Sequence, residues 1–168
     1  MIKSIRLQNF FGFQDCTINL EKGENVLVGI NGSGKSNFFK AIQVITYGIL
    51  KNLNPIINKQ WGGINNVINK CGNAKELAEL TFEIVPGLTD GNQTLVYNIK
   101  IERLQNLNYK LFEYAVLRRE NHADKAIYSY SDGLGKVTER TNHNDVELPF
   151  KIEFGSKELY LSTPLDEA

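Results

Sequence analysis

VLVGINGSGKSNFFKAI, residues 26–42, is the stretch whose reading decides the fold. Within it, residues 29–36 run G-I-N-G-S-G-K-S and satisfy G-x-x-x-x-G-K-[ST], the pattern of a phosphate-binding loop. Gly29, Gly32 and Gly34 let the backbone take positive φ and approach a phosphate where a Cβ would intrude. Successive N–H groups then converge on the phosphate, and the positive end of the following helix adds to the attraction. Lys35 is predicted to bridge the β- and γ-phosphates and the Ser36 hydroxyl to bind Mg²⁺, with Asn31, Ser33 and Asn37 completing the phosphate-binding set.

The flanks supply the context that the motif requires. Residues 25–28, N-V-L-V, form a short apolar run that reads as a buried strand feeding the loop. Phe38, Ala41, Ile42, Ile45 and Ile49 recur at three- and four-residue spacing and make one apolar helical face. Strand, glycine loop and helix follow in order, which predicts capture of a nucleoside triphosphate.

With 168 residues, 42% of them hydrophobic, the chain can bury one sizeable core, and a single domain is the expectation. Nineteen lysines and arginines balance 19 aspartates and glutamates, so composition gives no support to non-specific nucleic-acid binding. The N-terminus alternates like a strand and carries no secretory h-region, and no apolar run reaches membrane-spanning length. Cys16 and Cys71 match no metal or redox spacing, which predicts two reduced, structural thiols in a cytoplasmic protein.

Outside the loop the pattern is mostly of period two. Ile5 and Leu7 alternate with Ser4 and Arg6; after the aromatic turn at residues 10–13, Cys16, Ile18 and Leu20 alternate with Thr17 and Asn19. These read as two paired strands, a flap laid against the nucleotide core. Residues 51–75, rich in Asn and Gly, read as an irregular connector with one short helical turn near residues 64–68 and with Trp61 packed over the core. Residues 76–154 read as an antiparallel meander: alternation around Leu80, around Tyr97 and around Tyr128, a run at 109–118 that is apolar on both faces and therefore central, and an Asp132-Gly133 hairpin turn before residues 136–140. Arg118, Arg119, Lys125 and Lys136 read as solvated strand ends, and His122 and His143 as surface residues. Residues 155–168 read as the frayed end of a truncated chain.

The order L-x-N-F-x-x-F, an amphipathic strand, then G-x-N-G-S-G-K-S-N resembles the N-terminal head segment of SMC/RecF-type ATPases. These relatives of ABC transporter ATPases include RecF, the OLD-type proteins with a fused nuclease, and many bacterial ATPases under the AAA label. Leu7, Asn9, Phe10, Phe13, Gly29, residues 31–37, Ala41 and Ile42 carry the likeness, and Y-x-I-x-I-E-R at 97–103 fits it loosely. The resemblance implies ATP and Mg²⁺ as ligands, and an adenine lying near the turn, with Phe11, Gly12 and Phe13 as its candidate contacts. It implies a second head as partner in a homodimer, with DNA as a candidate partner and no membrane association.

Hydrolysis needs more than a cradle. Ser131-Asp132-Gly133 imitates a family signature but precedes a strand-like run, so it reads as the hairpin. Leu165-Asp166-Glu167 imitates a Walker B ending, yet Pro164 just before it suits no central strand. Catalytic residues stay unassigned, and neither Gln14 nor Gln105 can be placed in the family's glutamine loop. The expected fold class is α/β: a P-loop NTPase N-terminal lobe, with P-loop strand and helix plus an antiparallel meander. The expected function is Mg·ATP binding, with hydrolysis requiring a C-terminal lobe that carries signature and Walker B motifs, plausibly in DNA repair, recombination or anti-phage defence. The alternatives are a small P-loop phosphotransferase and a nucleotide-gated interaction module.

Overall fold

The computed structural model describes residues 1–50, 53–69, 77–85, 93–105, 108–119, 125–131, 134–141 and 144–151. The strands are β1 (Ile2–Phe10), β2 (Phe13–Asn19), β3 (Leu77–Ile84), β4 (Gln93–Arg103), β5 (Tyr109–Arg119), β6 (Lys125–Ser131), β7 (Leu134–Thr141) and β8 (Asn144–Lys151). They form one eight-stranded sheet in the order β2-β1-β3-β4-β5-β6-β7-β8, every neighbouring pair antiparallel. Between β2 and β3 the chain makes helix α1 (Lys35–Leu50), a π-helical turn (Ile56–Gln60) and the short helix α2 (Ile64–Val67). This is the α/β P-loop architecture with an antiparallel meander.

Register explains why one face of the sheet is apolar. Ile5 lies opposite Phe82 and Leu7 opposite Leu80; Leu80 in turn faces Ile99 and Phe82 faces Tyr97. Period-two alternation therefore stacks apolar rows across β1, β3 and β4 on one side, and a one-residue slip would turn them all to solvent. Phe38, Ala41 and Val44 of α1 close over that face, joined by Leu53, Ile57, Trp61, Ile64 and Val67 from the connector. The opposite face is polar, with Arg6 bidentate on Asp15, Ser4 donating to Glu83 at 3.0 Å and Lys100 3.4 Å from Glu79.

The connector is a second layer of core, not a surface linker. Its apolar residues alone show the reason: Ile56, Ile57, Trp61, Ile64 and Val67 are all buried. It is stitched to the end of β1, where Phe11 N–H donates to Val67 O at 2.6 Å and Asn69 N–H to Asn9 O at 2.9 Å. Asn9 has φ 53°, a left-handed conformation that asparagine tolerates better than most residues, and its Nδ2 donates to Leu77 O at 2.8 Å. Asn9→Ala should therefore cost about 1–2 kcal/mol of unfolding free energy in urea, from one lost hydrogen bond plus left-handed strain on a Cβ without compensation.

Two expectations change. Residues 25–28 form no strand, and Val26, Val28 and Ile30 stand 82%, 90% and 83% exposed. A strand needs ladder partners; β1 and β2 use their edges on each other and on β3, and among the described residues nothing pairs with this segment. The second change is β8, which includes Pro149. The last place in the sheet order is an edge, where a residue without N–H is tolerated. The central placement of β5 holds, since β4 and β6 flank it. Its core face nevertheless carries Glu113, 1% exposed, whose Oε1 accepts from the Tyr97 hydroxyl at 2.8 Å and from the Tyr128 hydroxyl at 2.6 Å. Burial, then the Glu113 charge, pushes ionisation of the Tyr97 phenol far above its ordinary range.

The β6–β7 ladder closes at Ser131 opposite Leu134, as a two-residue hairpin at Asp132 and Gly133 requires. Those two residues, Cys71, His122, His143 and residues 165–167 lie outside the described residues. Cys16 is a free thiol. Arg118, read as a solvated strand end, donates to Glu83 at 2.9 Å.

Candidate nucleotide site

The loop leaves the edge of the sheet and delivers the chain into α1, which begins at Lys35. Gly32 and Gly34 have φ 85° and 94°, so the carbonyls turn away and the amides turn in, a concavity suited to an anion. A Cβ on Gly29 would come 2.6 Å from Ser33 Oγ, and one on Gly34 3.2 Å from Phe13 Cζ. The cradle is therefore closed to side chains at both ends. Phe38 N–H donates to Gly34 O at 3.0 Å, the first helical bond, which leaves the amides of residues 35–37 at the helix mouth without an intrahelical partner.

Lys35 folds back over the loop. Its ammonium donates to Gly29 O at 2.5 Å, to Ile30 O at 2.8 Å and to Ser33 Oγ at 3.3 Å. Three contacts from one point charge hold it across the mouth of the loop that the glycines form. The Ser36 side lies exposed at the first turn of α1, open to a cation. Asn31, Gly32 and Ser33 are exposed as well, so the loop's surface is available to a ligand. These residues fit a triphosphate: Gly29, Asn31, Gly32, Ser33, Gly34, Lys35, Ser36 and Asn37 would hold its phosphates, and Ser36 the Mg²⁺. The bound Mg·ATP would supply the phosphoanhydride and the metal's charge neutralisation. Among the described residues no group of three His, Cys, Asp or Glu side chains could hold a metal on its own.

The turn between β1 and β2 flanks the loop. Phe13 lies against Gly34, and a Cβ on Gly12 would lie 3.4 Å from Asn37 Nδ2. Phe11 is committed to a cluster, packing edge-on against Phe10 at 4.9 Å and Trp61 at 5.4 Å between ring centroids, with Lys40 Nζ 3.9 Å from its ring centroid. Sequence reasoning missed Lys40. Its place on α1, three residues after Asn37 and one helical turn past Ser36, was the available signal. Gly34→Ala should weaken Mg·ATP binding roughly tenfold or more in calorimetry, because a positive φ and a ring both oppose the added methyl.

A family model described as an AAA domain matches residues 4–159. The chain belongs to that family. It is an AAA-type P-loop ATPase domain related to the SMC and Rad50 ATPases. This AAA domain is 37% identical over 84 residues to the DNA double-strand break repair Rad50 ATPase of Sulfolobus acidocaldarius, covering 50% of this chain and 9% of that protein. It is 37% identical over 71 residues to the structural maintenance of chromosomes protein 3 homolog of Plasmodium falciparum, covering 42% of this chain and 6% of that protein. The AAA domain thus spans less than a tenth of the length of these two relatives. A solved structure from work on ATP-driven dimerization and DNA-stimulated activation of SMC ATPases covers 71% of this chain and 72% of its own, at 22% identity and a TM-score of 0.49. Among the described residues no helix is long and apolar enough to cross a membrane.

Proposed function

We propose that this domain binds Mg·ATP and is the nucleotide-grasping lobe of an SMC/RecF/Rad50-like ATPase head. The observation that carries the proposal is the loop itself: positive-φ glycines, the Lys35 ammonium spanning it and the open amides of α1 at one mouth. Hydrolysis would require a completing lobe with signature and Walker B motifs, since no acidic pair stands beside the loop among the described residues. The exposed Val26, Val28 and Ile30 support this, because an apolar alternation without ladder partners suits a strand that the completing lobe pairs with. A second head in a homodimer, and DNA as the substrate of the assembled protein, accord with the relatives' roles in break repair and chromosome maintenance.

Calorimetric titration of the chain with Mg·ATP and with AMP tests the proposal. Saturable binding of Mg·ATP, with AMP binding at least tenfold weaker, is the expected outcome, because the contacts fall on the β- and γ-phosphates. Equal affinity for both nucleotides would remove the phosphate loop from the account.

A further inference from the structure

We infer that Lys40 is a positioning residue for the nucleoside end of the ligand: it holds the strained Phe11 turn beside the phosphate loop, so that Phe13 presents a wall for a planar base. The inference rests on the nucleotide-binding reading above and adds to it a residue outside the loop.

The argument begins with backbone strain. Phe11 has φ 48°, a conformation that a bulky side chain rarely adopts and that persists only where its surroundings over-determine it. Three contacts do so here. Its N–H is tied to Val67 O at 2.6 Å, Trp61 meets its ring edge-on, and Lys40 Nζ sits 3.9 Å from the ring centroid. The first two anchor the turn to the core; only Lys40 anchors it to the phosphate-loop helix.

Lys40 Nζ also donates to Asn37 Oδ1 at 3.3 Å, and Asn37 in turn borders Gly12. One side chain thus joins the first turns of α1 to the β1–β2 turn. Burial pushes the Lys40 ammonium pKa down, so the π-face and the amide oxygen are the groups that compensate the charge for lost water. The consequence falls on Phe13. With Phe11 locked, the Phe13 ring lies against Gly34, on the flank of the mouth where a nucleoside leaving the triphosphate must pass. An aromatic ring there suits stacking with a base, which is indifferent to the phosphates.

The test compares Mg·ATP with Mg·tripolyphosphate, which has the phosphates and no base, in calorimetric titrations of the wild-type chain, K40M, K40R and F11L. Wild type should bind ATP more tightly than tripolyphosphate. K40M and F11L should lose about 5- to 10-fold in ATP affinity with tripolyphosphate affinity unchanged, and K40R should keep most of the ATP affinity, since a guanidinium also stacks on an aromatic face. Equal losses for both ligands, an unchanged ATP affinity, or K40R behaving as K40M would each overturn the inference. A wild type that binds both ligands equally overturns the base wall and leaves the phosphate loop standing. Binding of neither ligand overturns the nucleotide reading as well.

Discussion

Lys35→Ala should erase the rise in unfolding temperature that Mg·ATP confers on this chain. At a ligand concentration of 100 times Kd the wild-type gain is about 2.7 kcal/mol, which for a domain of this size corresponds to roughly 5–10 °C. Charge-assisted hydrogen bonds contribute about 1.5–3 kcal/mol each, so losing one ammonium weakens binding roughly 10- to 150-fold. The gain at the same nucleotide concentration then shrinks to about 2 °C or less at the stronger end of that range. The ligand-dependent difference is the quantity to read, because Lys35 also ties Gly29 O and Ile30 O in the free loop and its removal shifts the unliganded baseline too. Scanning fluorimetry with and without Mg·ATP, on both proteins, measures it. A mutant stabilised as strongly as wild type would mean that the ammonium and the ligand never meet.

Glu113→Ala should be the most destabilising polar truncation in the sheet, by about 3–5 kcal/mol in urea unfolding. The carboxylate is buried to 1% exposure and one oxygen serves as acceptor to two phenols. Deleting it removes that shared acceptor from β4 and β6 at once and leaves a void beneath Ala115 and its neighbours. Glu113→Gln keeps a carbonyl in place and should cost about 1–2 kcal/mol, while Tyr97→Phe in the alanine background should recover part of the loss by removing a stranded donor. An alanine variant within 1 kcal/mol of wild type would show that water reaches the site. Against a typical domain stability of about 5–15 kcal/mol, the predicted loss is a large share.

Much of this was readable from residues alone. The Gly-Lys-Ser spacing fixed where the chain must turn inward, and alternation around Leu7, Leu80, Ile99 and Leu111 placed four neighbouring strands, because burial of one face leaves a period of two. What escaped has identifiable physical reasons. N-V-L-V at residues 25–28 has a strand's composition, yet strand formation depends on a ladder partner that local composition cannot reveal. Pro149 argued against a strand at 144–151 because edge position is a property of the sheet order, not of the segment. Asparagine and glycine suggested a loose connector at 51–75, while five apolar side chains spaced between them carried the packing. Glu113 looked solvent-facing in a run dense with charges, and only the register opposite Tyr97 and Tyr128 turned it inward. Within the candidate site, the loop residues were all visible from spacing; Lys40 was not, since its partner ring lies on another element.

The sheet order has a further consequence for how the chain comes into being. β1 lies between β2 and β3, and Ser4 meets its partner Glu83 across 79 residues. At a synthesis rate of about 5–20 residues per second, several seconds separate the two. During that interval the first hairpin has only its own turn to close it, and a lone hairpin is marginal in water. The helix and connector emerge first with nothing to cover but each other. The nascent chain therefore waits, its earliest strands idle, until β3 arrives to make them a sheet, and folding at low temperature or on a stalled ribosome should accumulate a species protected in α1 and unprotected in β1.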